Sequence, residues 1–182
     1  MNRITLLLLL PALLLACGDS TAQTENATST GISTPEQMEQ QQASAPANSD
    51  AEFADAMTDK VFQNYLHLRS ALVRSDATEA ASTAGNMAEG FGPERWDLKE
   101  LAQRIADSDE LEVQRGAFAT LGTKVEELFT NGMTEGTIYK MHCPMAFDGA
   151  GADWFSEVAE VRNPFYGDKM LTCGKVTDTI SK

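Results

Sequence analysis

Apolar positions return every three to four residues through the middle of this chain, a spacing that predicts helices. Phe53, Met57, Val61, Tyr65, Leu68 and Leu72 form one such series. Ser49-Asp50-Ala51-Glu52 ahead of it is a capping box, so the first helix is expected from Asp50 to Arg74. Asp76-Ala77-Thr78-Glu79 opens a second, whose small face Ala77, Ala80, Ala81, Ala84 and Ala88 runs to Gly90. An alanine stripe lets a neighbouring helix approach closely. Phe91-Gly92-Pro93 breaks the pattern. Asp97 can cap a third helix that turns Leu98, Leu101 and Ile105 inward. Asp109-Glu110-Leu111-Glu112 can cap a fourth, carrying Leu111, Phe118, Leu121, Val125, Leu128 and Phe129 as far as Asn131-Gly132. The connections are too short for crossovers, so the expected fold is mainly α, an antiparallel up-and-down bundle of about four helices.

The pattern changes on both sides of this stretch. Thr137-Ile138-Tyr139-Lys140-Met141 is β-branched and aromatic and reads as one extended strand running into His142. Beyond it, Gly149, Gly151, Pro164 and Gly167 mark turns, with Trp154, Phe155, Phe165 and Tyr166 spread among them. The expectation is a loop-rich C-terminal segment with little strand, held by aromatic anchors and by a disulfide or a metal. On the other side, Gly18 to Asn48 is Ser, Thr, Ala, Gln, Asn and Pro with hardly a branched apolar residue. Such a segment cannot bury enough surface to offset its ordering entropy and is expected to be a disordered tether. Thr34-Pro35-Glu36-Gln37 could cap no more than a brief helix there. About 134 residues follow, enough for one domain over 49–182.

The chain opens with Met1-Asn2-Arg3 and an apolar run from Thr5 to Ala16, interrupted by Pro11. A spanning helix needs about twenty apolar residues, so the run reads as a cleaved signal peptide over 1–16. Leu14-Leu15-Ala16-Cys17 resembles the bacterial lipobox. That resemblance implies cleavage before Cys17, acylation of Cys17, and a lipid anchor. Gly18, where lipoproteins retained in the inner membrane commonly carry aspartate, implies the periplasmic face of the outer membrane. An ordinary secretory signal with an accidental cysteine is the alternative. A flexible tether of about thirty residues has a root-mean-square reach of roughly 30 Å, which carries the folded part clear of the lipid.

The 182 residues hold 14 Lys and Arg against 27 Asp and Glu, a formal charge of −13. Removing residues 1–16 takes only Arg3, leaving 13 against 27, or −14. Nucleic acid as a partner is excluded by that balance, because its binding depends on neutralising phosphates with Lys and Arg.

Two clusters of soft donors lie near the C-terminus, His142-Cys143-Pro144-Met145 and Met170-Leu171-Thr172-Cys173. Thiolate and thioether sulfurs favour Cu(I), and imidazole suits copper as well, so His142, Cys143, Met145, Met170 and Cys173 are candidate ligands for copper. A disulfide between Cys143 and Cys173, with Met145 and Met170 filling gaps, is an equally simple reading. If the cysteines pair, His142, Met145 and Met170 could still hold Cu(I). His67, between Leu66 and Leu68, lies off the main apolar stripe and is expected to be a packed or partly exposed helix residue. Met57, Met87 and Met133 are expected to be filler. Asp148, Asp153, Asp168 and Glu157 are expected to be solvated or capping groups.

The runs Tyr139-Lys140-Met141-His142-Cys143-Pro144-Met145, Gly151-Ala152-Asp153-Trp154-Phe155-Ser156 and Asn163-Pro164-Phe165-Tyr166-Gly167-Asp168-Lys169-Met170-Leu171-Thr172-Cys173-Gly174 together resemble domain-of-unknown-function family 3347. Tyr65-Leu66-His67-Leu68 with Ala71-Leu72, and Gln114-Arg115 with Phe118, are similar to that family's helical signatures. The resemblance spans about residues 55 to 176. Members occur as small exported proteins and as an extra C-terminal domain on some heavy-metal efflux adaptors, often beside copper-resistance genes. The resemblance therefore implies a link to copper, with Cys143, Met145, Met170 and Cys173 as the motif sulfurs and His142 beside them, and efflux or copper-resistance proteins as partners.

No catalytic constellation is present: there is no glycine-rich phosphate loop, nucleophile elbow or His-Glu metalloprotease pair. Two histidines cannot supply a tris-histidine zinc site, and Cys-x-x-Cys is absent. The expected function is non-enzymatic: a lipoprotein that binds copper for buffering or handover. The rival is a metal-free interaction module with a disulfide-stapled C-terminal surface, and a thiol redox role for Cys143 and Cys173 is a third reading.

Overall fold

A computed structural model describes residues 49–182. The expected signal peptide, Cys17 and the tether lie outside the described residues. Within them the fold is helix-rich with short antiparallel strands, in the order β1 (Glu52–Phe53), α1 (Ala56–Val73), α2 (Ala77–Gly90), α3 (Trp96–Ala106), α4 (Leu111–Gly132), β2 (Met133–Glu135), β3 (Thr137–Cys143), β4 (Ala152–Ser156) and β5 (Lys175–Ser181). A 3-10 turn, Pro93–Arg95, leads into α3, and a second, Gly167–Met170, lies between β4 and β5. No helix among the described residues is long and apolar enough to cross a membrane.

The first helix starts later than its sequence suggests. Asp55 is the N-cap, accepting from the Thr58 N–H at 2.9 Å and the Thr58 hydroxyl at 2.7 Å. Residues of the competing Ser49 box are drawn into β1, which pairs antiparallel with β2. Asp76 does cap α2, accepting from the Glu79 N–H at 2.9 Å, and α2 ends at Gly90. Asp97 is no cap: α3 begins one residue earlier, and the Asp97 carboxylate pairs with Lys124 at 3.0 Å. At the start of α4, Ser108 Oγ accepts from the Glu110 N–H, while the Glu110 side chain makes no cap.

Each helix packs on the next in sequence, and α4 returns to α1 and α2. The buried face of α2 is Ala80, Thr83, Ala84, Met87 and Ala88. The centre of the core is aromatic. Tyr65 stacks on Phe118 with centroids 4.8 Å apart and meets Phe129 edge-on at 5.5 Å, while Phe62 meets Phe129 edge-on at 5.0 Å.

The C-terminal segment holds more strand than its glycines suggest. β3 is central in an antiparallel sheet ordered β4-β3-β5. Its register opposes His142 to Asp153 and Met141 to Trp154 across β4, and Thr137 to Ser181 across β5. Directly opposed residues share a face and neighbours along a strand alternate. One face therefore carries Lys140, His142, Asp153 and Phe155, and the other Met141, Cys143 and Trp154. Phe155 joins the first face to the helices, with its ring 5.6 Å from Phe129 and its N–H donating to Tyr65 Oη at 3.2 Å. Residues 157–174 cover the second, where Phe165 meets Trp154 edge-on at 5.7 Å.

The first and last described residues converge on the turn before β3. Asp50 Oδ1 accepts from the Thr137 N–H at 3.2 Å, and the Lys182 N–H donates to Gly136 O at 3.1 Å. Gly136 has φ +89°, and a Cβ there would stand 2.2 Å from Asp50 O, so only glycine fits.

Candidate metal and thiol site

The two soft-donor clusters meet at the far end of β3. Cys143, the last residue of β3, is wholly buried, and Cys173 is half-buried in the covering segment. Both are free thiols, with their Sγ atoms 2.9 Å apart. The Cys143 thiol against it, helped by burial, pushes the Cys173 thiol above its ordinary value, while the Met145 N–H pulls the other way. A metal must therefore displace protons to bind here.

Backbone contacts tie both methionines into the segments that carry the cysteines. The Cys173 N–H donates to Met170 O at 3.0 Å, and Tyr166 Oη donates to Met145 O at 2.6 Å. The Met145 side chain is 53% exposed. After it the chain turns sharply through Phe147 (φ 52°, ψ 58°) and Asp148 (φ 57°, ψ 32°), two non-glycine residues in the left-handed region. Such residues, in a bulky side chain above all, are a sign of local strain. The Phe147 ring, 39% exposed, leans on Phe165 at 5.4 Å.

His142 departs from its expected company. Strand alternation sends it to the face opposite Cys143, where Nδ1 lies 2.6 Å from Asp153 Oδ1. Lys140 lies between Glu126 of α4, at 2.7 Å, and Asp153, at 3.5 Å. The backbone at Gly151 passes so close that a Cβ would stand 2.8 Å from His142 Cε1. Asp153 is thus an ion-pair partner and not a solvated turn acid. Glu157 departs further: its side chain is 1% exposed and forks onto Arg69, with Nη1–Oε2 2.9 Å and Nη2–Oε1 3.0 Å. His67 is exposed on α1, as a non-ligand histidine would be. Among the described residues, no group of three or more His, Cys, Asp and Glu side chains is gathered to hold a metal. Along the chain, the thioethers of Met145 and Met170 lie two residues from Cys143 and three from Cys173 respectively.

Asn163 is the organiser that residue types alone do not reveal. Wholly buried, it donates from Nδ2 to Cys173 O at 2.8 Å, accepts at Oδ1 from the Phe165 N–H at 2.7 Å, and its own N–H reaches Leu171 O at 2.8 Å. Arg115 of α4 ties the same segment down through Nε to Pro164 O at 2.8 Å. The only sequence signal is Asn-Pro, a turn dipeptide. A surface groove of about 700 Å³ runs along α3, lined by Trp96, Lys99, Arg104 and Val113 among others, and takes no residue from the cysteine site.

The fold and site together define a class: a small helix-rich domain with a three-stranded sheet that carries a thiol pair at one end. Residues 61–136 match the model of the family described as "Protein of unknown function (DUF3347)", and this part of the chain is a member of that domain family. The matched residues run from α1 to the turn before β3, so the cysteine clusters lie beyond them. No curated protein and no solved structure matches the chain.

Proposed function

We propose that this chain is a non-enzymatic, soft-metal-binding lipoprotein, anchored through Cys17 at the periplasmic face of the outer membrane, that holds copper as Cu(I) for buffering or for handover to efflux or resistance partners. The observation that carries the reading is the meeting of Cys143 and Cys173 at 2.9 Å, with Met145 two residues along the chain from the first and Met170 three from the second. Thiolates with thioethers make a soft donor set suited to Cu(I). His142 stands outside this set, on the other face of β3. The helices are read as an antiparallel up-and-down bundle, supported by the packing of each on its sequence neighbour.

The test is a titration of the reduced chain lacking residues 1–16 with Cu(I) against a coloured competing chelator. One copper per chain is expected, with binding lost in the Met145→Leu, Met170→Leu double variant and retained in His142→Ala. Failure of both reduced and oxidised protein to compete would sink the proposal. The exposed Met145 and Phe147 beside the cysteines favour a second reading, a metal-free interaction surface. That reading predicts partner capture that survives removal of the thioethers.

A further inference from the structure

The thiol pair is asymmetric. Cys143 is 0% exposed and fixed by its position at the end of a strand paired on both sides, whereas Cys173 is half-buried on a covering segment. That segment does not need a sulfur bond to stay in place. Asn163 clasps Cys173 O, Arg115 holds Pro164 O, Tyr166 reaches Met145 O, and Phe165 rests on Trp154. Two thiols that the fold keeps adjacent while reduced have most of the loop-closure entropy already removed, so closing a disulfide between them is effectively unimolecular. Beyond this, only one of the two can meet a molecule from solution.

We infer that Cys143 and Cys173 form a dithiol exchange pair for low-molecular-weight disulfides, in which Cys173 is the entering sulfur and Cys143 the resolving one. In the first step the Cys173 thiol gives its proton to solvent, and the thiolate attacks one sulfur of the small disulfide. The new S–S bond forms as the old one breaks, and its electron pair leaves on one small thiolate. In the second step Cys143 loses its proton and attacks Cys173 Sγ, expelling the second small thiolate. Two protein thiols are oxidised to one disulfide, one small disulfide is reduced to two thiols, and the two protons released by the protein end on them. The inference does not rest on copper binding, although it limits it, since a closed disulfide leaves no thiolate for the metal.

The test uses the full chain, reduced, freed of metal and incubated with oxidised glutathione, then quenched with an alkylating reagent and mapped by peptide mass so that Cys17, Cys143 and Cys173 are read separately. Wild type is expected to gain the Cys143–Cys173 disulfide without accumulating a mixed disulfide at either residue. Cys143→Ser is expected to trap one glutathionyl group on Cys173, and Cys173→Ser none on Cys143. Glutathione on Cys143 in the second variant, its absence from Cys173 in the first, or a stable mixed disulfide in wild type overturns the inference. Should the buried substitution unfold the domain, limiting alkylation of reduced wild type decides the order: Cys173 must be labelled before Cys143, and the reverse order or equal labelling refutes it. Because no metal is present, the outcome is independent of the copper titration.

Discussion

Gly122 is where α4 passes close to both Tyr65 of α1 and the backbone of β4. A Cβ there would stand 3.2 Å from Tyr65 Oη and 3.4 Å from Asp153 O, the first a side chain locked by the Phe155 N–H and the second a strand carbonyl. Alanine would gain about 1 kcal/mol of helix propensity, yet overpacking costs about 1–3 kcal/mol. Gly122→Ala is therefore expected to lower stability by ~1 kcal/mol, read as a lower denaturant midpoint with an unchanged slope. A second residue-level expectation concerns Cys173. Its thiol is held above the ordinary value by Cys143 and by burial, so it stays protonated where a free thiol of pKa about 8.5 has begun to ionise. Alkylation of Cys173 should still be climbing at pH values where a model thiol has levelled off, and Cys143→Ala should shift the profile towards lower pH. The site's sulfurs were legible because cysteine and methionine are scarce and chemically distinctive. Asp153 and Asn163 were not, since a turn acid and a turn amide look alike in sequence whether they face water or organise a loop.

Among elements, the helices were legible from their 3.6-residue spacing, and Asp76 and Gly90 bounded α2 as their chemistry requires. Where two caps competed, Asp55 prevailed over Ser49 because its carboxylate takes two hydrogen bonds from Thr58 while the upstream residues pair with β2. β4 was hidden because Trp154, Phe155 and Ser156 are all buried, so covered faces erase the alternation that marks a strand. β5 did carry a signal in Val176, Thr177, Thr179 and Ile180, obscured by its glycine-rich approach. The junction of α1 with the end of β4 is the Arg69–Glu157 fork, joined by Ser156. Breaking a buried pair by removing one partner costs about 3–5 kcal/mol, because the other charge is left stranded. Arg69→Met and Glu157→Leu should each destabilise the domain strongly, while the double variant should recover much of the loss. A double-mutant cycle by chemical denaturation measures this, and strict additivity would show that the two side chains are not coupled.

At the scale of the molecule, the buried apolar residues among those described run from Ala51 to Phe165, with Tyr166, Cys173, Val176 and Ile180 of the C-terminal segment packed against them. A Ser49–Lys182 fragment is expected to melt at the same temperature as the chain lacking only residues 1–16, measured by circular dichroism. A drop of several degrees would mean that the upstream residues contribute to the fold. The acidic balance bears on solubility and counter-ions more than on architecture, although Asp55 and Asp76 use their carboxylates to cap α1 and α2. Among the described residues, acids pair with Lys124 (Asp97), Lys140 (Glu126), Arg69 (Glu157) and Arg162 (Glu160).

The convergence of Asp50 and Lys182 on the Gly136 turn has a consequence for portability. A fold whose way in and way out are neighbours can be spliced into the loop of a host protein without prying the host apart, and can be recut elsewhere once its own ends are sewn together. A circular permutant that links Lys182 to Ser49 and opens at the exposed Ala159–Glu160 stretch would keep the sheet, the helices and the thiol pair in register, turning this domain into a cassette.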